Sequence, residues 1–338
     1  GAVEICKLRL WLSMVADMED EHGEVEPLPN IDFNIRQGNS LIGFTEVKEV
    51  ANEEGDVSLT TFGGGVGDSV KEMYNDVIEA VERHRNAKSA AEANNARKLA
   101  ESRIGEYSRA LNEKVHQKFV DSGIEGVETD DIEDYHPFHW VLEFATVYRD
   151  GGFDILIGNP PWDVLSPNRD EYFTRFDEAF RTRMPEDKDR KMESLLENPE
   201  IEQGWADYRD ELEKRAAYFN NSGEYSLQTP EVDGKKVQNE NDLSMLFLER
   251  VFDLAGDGSY VAQILPENIF HGASAKDLRI EMLNGTEVQD IIGFENKDIF
   301  DGIDDRYRFG VLTFRSGGQT EDVYGIFNQH DLDLLRNV

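Results

Sequence analysis

Cysteine is almost missing from this chain: Cys6 is the only one in 338 residues. An internal disulfide is therefore impossible, and a multi-cysteine zinc site is excluded. Long apolar runs are missing too. None approaches the roughly 20 residues that a membrane span requires, and the first residues lack the basic, apolar and small-residue order of a secretory signal. A soluble, cytoplasmic protein without a membrane partner is expected.

Positive charge is scarce, with 35 Lys and Arg against 70 Asp and Glu and a formal net charge of -35. That sign opposes ordinary phosphate-backbone binding by counterion release. The acids are spread along the chain, as Asp17 to Glu26, Glu128 to Asp134 and Asp298 to Asp305 show, rather than gathered in one tail. A strongly hydrated anionic surface of this kind suits a high-salt cell interior, where screening shortens charge repulsion. A halophilic host is inferred. The competing reading, that acidity excludes nucleic acid, is weakened by the same screening.

What the chain does contain is enough for a core, at 39% hydrophobic and 10% aromatic residues, in one large α/β domain with insertions or in two domains. It opens with Val3, Ile5, Cys6, Leu8, Leu10, Trp11, Leu12 and Val15, a density of apolar side chains that predicts a largely buried helix. No cap or polar lead-in precedes it, so an N-terminal portion is expected upstream. Ile31 to Phe44 predicts a short strand running into a turn at Gly38-Asn39-Ser40. Residues 70–120 predict a helical hairpin with thin apolar stripes: Met73, Val77 and Val81, then Leu99, Ile104, Tyr107, Leu111 and Val115. Gly63 to Gly67 lacks the Lys and Ser or Thr of a phosphate loop and reads as a linker.

Phe153 to Gly158 predicts a short buried strand, and Asn159-Pro160-Pro161-Trp162 follows at once. Two prolines cannot continue a strand ladder, so the chain turns at the strand's carboxyl end, where open α/β sheets place their ligands. Residues 163–240 read as a polar insertion with helices. Asp242 to Leu254 then predicts an amphipathic helix, Gly258 a turn, and Tyr260 to Leu265 a buried strand ended by Pro266. Val288 to Phe294 and Phe309 to Phe314 are two more strand candidates. The alternation argues for a mostly parallel sheet.

The tetrapeptide has a chemical logic when the substrate is an exocyclic amine, whose lone pair is delocalised into a ring. The Asn159 side-chain oxygen and the Pro160 carbonyl can each accept one amine hydrogen, drawing the nitrogen toward tetrahedral geometry. The prolines hold that carbonyl still. Trp162 offers a flat face on which an extruded base can stack. The plain alternative is that Pro160-Pro161 only ends a strand and Trp162 is core. Gly158, next to the turn, allows close approach of the backbone to a ligand. Asp154 and Asp242 read as a strand-edge acid and a helix cap.

The stretch from Phe153 to Leu165, with Asn159-Pro160-Pro161-Trp162 at its centre, resembles motif IV of the amino-methyltransferases. Its context resembles the γ-type adenine-specific DNA methyltransferases of restriction-modification and phage-defence systems, in the branch with methylase and nuclease in one polypeptide. Ala2 to Val15 is similar to the helix after motif II, Ile35 to Gly43 to motif III, and His136 to Phe144 to the lead-in to motif IV. Leu243 to Leu254 with Tyr260 to Phe270 is similar to motifs V and VI, and Phe294 to Phe314 to motif VIII. The resemblance implies an α/β, Rossmann-like methyltransferase sheet, N-terminally incomplete and with helical insertions. It implies S-adenosyl-L-methionine as cofactor and double-stranded DNA with a flipped adenine as partner. A missing N-terminal portion, a specificity domain or a companion subunit would complete it, since the Gly-rich motif I and the acid of motif II belong before Gly1. Carried over by position, Asn39, Phe247 and Asn159 would bind cofactor, Asn159 to Trp162 would be catalytic, and Phe300 would hold the base opposite Trp162. Each has a bland alternative: Asn39 a turn residue, Phe247 and Phe300 core. No metal is implied. The implied divisions are 1–50 partial core, 51–145 helical insertion, 146–165 motif IV and its loop, 166–240 polar insertion, 241–316 core, and 317–338 the start of a C-terminal region. Rival readings are N-methylation of a protein or RNA amine, and a non-catalytic fragment that binds DNA or a partner.

Overall fold

The computed structural model describes residues 2–16, 31–46, 70–232, 235–236 and 241–336. The expectations for the acidic stretch 17–26 and the linker at 63–67 lie outside the described residues. In chain order the helices are α1 (Ala2–Ala16), α2 (Val70–Arg85), α3 (Ala90–Asp121), α4 (Thr129–Asp134), α5 (Trp140–Glu143) and α6 (Ala145–Arg149). Strand β1 (Phe153–Gly158) follows, then α7 (Arg169–Thr174), α8 (Pro185–Leu196), α9 (Pro199–Asn221) and the short pair β2 (Glu231–Val232) and β3 (Lys235–Lys236). The chain continues through α10 (Leu243–Leu254), β4 (Ala255–Pro266), α11 (Asn268–His271), α12 (Lys276–Gly285), β5 (Thr286–Glu295), β6 (Arg308–Ser316) and β7 (Gly325–Gln329). Strands and helices in this order make the α/β class that was expected.

The chain divides into two compact units, Gly1–Lys118 with Gly126–Phe153 and Phe119–Glu125 with Asp154–Val338. In the first, the hairpin of α2 and α3 forms where its stripes predict. Met73, Val77, Val81, Ile104, Tyr107, Leu111 and Val115 are buried, whereas Leu99 is exposed. Residues 31–46 pack as turns rather than the expected strand, held by an isolated bridge from Asn39 to Pro137. Gly43, at φ +131°, lies so close to the Phe138 backbone that a Cβ would stand 2.3 Å from its carbonyl oxygen, which leaves no room for a regular extended run. His139 reaches in from the other side, accepting from the Phe44 N–H (3.4 Å) while its Nε2 faces Asn112 Oδ1 (3.0 Å). Burial pushes its pKa down to about 3, so it works as a neutral ring. Helix α1 forms as expected but is not buried: Ile5, Leu8, Leu10, Trp11, Leu12 and Val15 are all exposed. Apolar density predicts a helix that needs a cover, and the described residues do not supply one.

In the second unit a five-stranded sheet runs in the order β1-β4-β6-β5-β7. It is not mostly parallel: β6 pairs antiparallel with both β4 and β5, while β5 and β7 are parallel. The reason is the connection. Between β5 and β6 lie only residues 296–307, without a helix, and a parallel neighbour needs a crossover that is usually helical. From β4 to β5 the chain does make such a crossover, through α11 and α12, and those two strands flank β6 in the same direction. Met245, Leu248, Val261, Leu265, Leu278, Ile291, Leu312 and Phe314 pack between this sheet and helices α10 and α12. Strand β1 has the predicted bounds but not the predicted burial. Standing at the sheet's edge, it leaves Ile155 63% and Ile157 81% exposed on one face, while Leu156 on the other packs against the core.

The polar insertion is helical, as expected. Asn198 caps α9 by accepting from the Glu200 N–H (2.9 Å), with Pro199 at the first helical position. Tyr172, Phe173 and Phe180 give the insertion its own small core with Trp205 and Tyr208.

Candidate active site

The second unit gathers its candidate chemistry where β1 and β4 end and β6 begins, because Pro266 and Phe309 face each other in the β4–β6 ladder. Immediately after β1 the turn places Asn159 and Pro161 in solvent and buries Pro160. Trp162 is half-buried, and its indole Nε1–H donates to the Ile264 carbonyl of β4 (3.3 Å). The tetrapeptide is thus neither sealed in the core nor detached from the sheet. Asn159 can meet a substrate, while the indole is moored. Gly158 serves a different purpose from the one expected. A Cβ there would stand 2.7 Å from the amide of Gln263, so its smallness accommodates a buried glutamine on β4 rather than a ligand.

Beyond the turn the chain is stitched to the start of α10. The Asp163 carbonyl accepts from the Leu243 N–H (3.0 Å), the Asn241 carbonyl accepts from the Leu165 N–H (3.0 Å), and Val164 bridges Asp242. Asp242 caps α10, one carboxylate oxygen accepting from the Ser244 N–H (2.9 Å) and the other from the Asn268 amide (3.2 Å). Asp242 therefore ties the helix start to α11 through its buried carboxylate, and to the turn through its backbone. Asn241 beside it is buried in a left-handed conformation, φ 54°, and its side-chain oxygen has no hydrogen-bond donor among the described residues. Such an acceptor is costly to leave unmatched. On α10, Leu243 and Phe247 are half-buried while Ser244, Met245, Leu246 and Leu248 are buried. At a spacing of four they form one partly open stripe.

Around Trp162 stands an aromatic cluster. Tyr307 lies parallel to it (centroids 5.4 Å, 6°), Phe309 at 5.8 Å and 30°, and Phe300 edge-on at 5.7 Å and 89°. Phe300 thus lies beside Trp162 and touches it, whereas a base sandwiched by two rings needs them roughly 7 Å apart. Buried Asn296 fixes the Phe300 loop: its amide donates to the Phe300 and Ile303 carbonyls (3.1 and 2.9 Å) and its oxygen accepts from the Phe300 N–H (2.7 Å). Two clefts lie in this unit, the first lined in part by Tyr307 and the second beginning at Asp163, next to Trp162. One, about 780 Å³, is lined by Pro266, Glu267, Asn268, His271, Glu295 and Tyr307 among others. The other, about 720 Å³, runs along Asp163 to Glu171 to Lys188, Tyr208 and Leu243. In the first, the bond from Arg308, then that from His330, holds the Glu295 carboxyl below its usual range.

Asn39 belongs to the other compact unit, where its side-chain oxygen accepts from the Leu41 N–H (3.2 Å) and so serves its own turn. Asn296, Tyr307 and Phe309 fall inside the Phe294 to Phe314 stretch likened to motif VIII, but neither they nor Asn241 are singled out as site residues from the sequence. Only the Asx-like repeat of Asn241 and Asp242 before an apolar helix hints at a special turn. Among the described residues no group of three or more His, Cys, Asp and Glu could hold a metal ion, and no helix is long and apolar enough to cross a membrane.

A family model described as the Eco57I restriction-modification methylase matches residues 1–204 and 208–300. A protein of Methanocaldococcus jannaschii, named as a type II restriction enzyme and methyltransferase, is 28% identical over 218 residues, 52% of this chain. The match spans only 18% of that relative's length. Among solved structures, a modification subunit of a type I restriction enzyme from Vibrio vulnificus is 12% identical over 95% of this chain and 75% of that one, with a TM-score of 0.25. A class I S-adenosylmethionine-dependent methyltransferase from Listeria monocytogenes is 12% identical over 79% of this chain and 88% of that one, with the same TM-score, 0.25. The sequence match carries the assignment, and superpositions this loose add nothing to it.

Proposed function

Since the chain belongs to the Eco57I restriction-modification methylase family, we propose that it carries the base-binding part of an S-adenosyl-L-methionine-dependent DNA methyltransferase acting on adenine N6. The observation that supports this reading best is the turn after β1, with Asn159 in solvent beside a half-buried, moored Trp162.

In this proposal Asn159 Oδ1 and the Pro160 carbonyl each accept one hydrogen of the adenine amine. Those bonds pull electron density back onto N6 and orient its lone pair, and the rigid prolines keep the acceptors from relaxing away. Trp162 stacks on the extruded base and replaces part of the stacking lost from the duplex. Phe300, at the indole's edge, forms a side wall of the same pocket. No strong base is needed at N6, because the amine becomes acidic as it is alkylated and solvent reaches Asn159.

The residues present fit one side of an S-adenosyl-L-methionine site. Asn241 offers a buried acceptor that lacks a donor, and Phe247 offers a partly open aromatic face. Asn159 is the further cofactor contact proposed in this unit, while Asn39, in the other unit, serves its own turn. When bound, the cofactor supplies an electrophilic methyl group. The rest of its site is assigned to a preceding segment or companion subunit, in keeping with the uncovered Ile155 and Ile157 on β1. Calorimetry on these 338 residues alone is expected to show no micromolar cofactor binding.

The cellular role proposed is restriction-modification and phage defence in the cytoplasm of a halophile, with high salt screening the chain's charge of -35 from DNA. Nucleoside analysis of genomic DNA from a strain with and without the gene tests the adenine assignment. N6-methyladenine should disappear with the gene. If the strains differ in no DNA base but in a methylated protein or RNA amine, the rival reading takes its place.

A further inference from the structure

No sequence pattern singles out Tyr307, yet it makes the most nearly parallel ring contact with Trp162, at 6° and 5.4 Å. Phe309 follows two residues later and meets the same indole at 5.8 Å and 30°. Tyr307 stands just before β6 and Phe309 at its second residue. Both are anchored. Phe309 is buried and stacks on Phe294 (5.4 Å, 16°), and Tyr307 is tied at both backbone ends, its N–H donating to the Asp304 carbonyl (2.9 Å) and its carbonyl accepting from the Asn296 N–H (2.8 Å).

Among the described residues Trp162 makes one side-chain hydrogen bond, from Nε1 to the Ile264 carbonyl of β4. A single hydrogen bond fixes the position of the indole edge but leaves the plane free to tilt about it. A parallel ring pressed against one face removes that freedom, and offset stacking is the arrangement two π-systems prefer. Burial, then the Asp242 and Asp163 carboxylates, raise the Tyr307 pKa, which keeps the ring uncharged.

We propose that Tyr307 is a positioning residue for methyl transfer: stacked under Trp162, it sets the indole plane so that a nucleobase stacks only on the opposite face, with its amine in reach of Asn159. This rests on the proposed base-methylating function, and it adds a residue that acts through Trp162 without touching the substrate. It also gives the loop 296–307 a purpose, since that loop carries Tyr307 and Phe300 to two sides of one indole.

The test uses the complete polypeptide that carries this chain, genomic DNA from a gene-deleted strain, and cofactor with a tritiated methyl group. Tritium entering DNA, whatever base receives it, reads Tyr307, and nucleoside analysis of the product reads the base assignment separately. Tyr307→Ala is expected to lower kcat about 10- to 100-fold, the scale of a misplaced reacting group, with KM for the cofactor unchanged. Tyr307→Phe, which keeps the ring, should restore the wild-type rate. A base extruded onto an unsupported indole is also less ordered, so 2-aminopurine at the target position should show a longer fluorescence lifetime with the alanine variant. Unchanged kcat and lifetime in Tyr307→Ala would overturn the proposal. So would a faster rate, which would make Tyr307 a competitor for the indole, or failure of Tyr307→Phe to restore activity. Tritium found on cytosine with the same variant pattern would remove the adenine assignment and leave Tyr307's role standing. No tritium in DNA from the wild-type protein would sink both.

Discussion

Strands β1 and β6 lie in one sheet and are built for opposite ends. β6 is paired on both sides and buries Phe309, Leu312 and Phe314. Among the described residues β1 has a neighbour on one side only, exposes Ile155 and Ile157, and runs straight into a turn whose Asn159 is in solvent. The difference separates two duties. The covered strand holds the fold, and near its start supplies Phe309 against Trp162, with Tyr307 on the loop just before it. The uncovered strand presents the group proposed to do chemistry, and leaves a face for something else to cover.

That contrast can be broken most forcefully in the core. Leu312, fully buried at the middle of β6, should cost about 2–5 kcal/mol of stability on truncation to Ala, measured by urea unfolding. A loss under 1 kcal/mol would mean that β6 is not the keystone described.

The covered side should also carry a pH signature, through Glu249 on α10. Its carboxylate accepts from the Leu227 N–H (2.9 Å) and the Gln228 amide (2.7 Å). Burial nevertheless pushes its pKa up to about 7, against the downward pull of those bonds. The folded chain therefore holds this proton more tightly than the unfolded chain. The stability it contributes is complete below the ordinary glutamate range and is lost as pH rises through about 7, up to about 3 kcal/mol at about 1.4 kcal/mol per pH unit. Denaturation midpoints at pH 5 and pH 8 should accordingly differ more in the wild type than in Glu249→Gln. Equal differences would contradict the assignment.

The smallest effect is expected on β1. Ile157→Ser in this chain alone should change stability by less than about 0.5 kcal/mol, as at other exposed positions. In the complete protein the same change sharpens the comparison: a cost above 1 kcal/mol there would mark the face as covered, and an unchanged cost would remove the proposed need for a cover.

The sequence was most legible where the signal is local. The bounds of β1, the hairpin of α2 and α3, and the cap of Asp242 on α10 all follow from periodicity, turn residues and cap chemistry within a few residues. Strand direction is not local. The reversal of β6 depends on the length of its connection and on which strands flank it, and alternation alone suggested a parallel sheet. Burial is not local either, because Ile155 and Ile157 resemble core residues until the sheet order puts β1 at the edge. For the site, Asn159 to Trp162 stood out because prolines after a strand have few uses, whereas Tyr307 reaches Trp162 from the far end of the unit and leaves no mark in the sequence around either. Gly158 shows the converse: its smallness was legible, but the neighbour it admits, Gln263, was not.

The most direct measurement is methyl transfer to adenine by the complete protein carrying Asn159→Ala. Because Asn159 is exposed and its loss leaves no cavity, the unfolding midpoint should stay unchanged and cofactor affinity should stay within a few fold. The rate of N6-methyladenine formation should fall at least about 100-fold, the usual effect of removing one group aimed at developing charge. Methylation at a rate close to wild type would contradict the account.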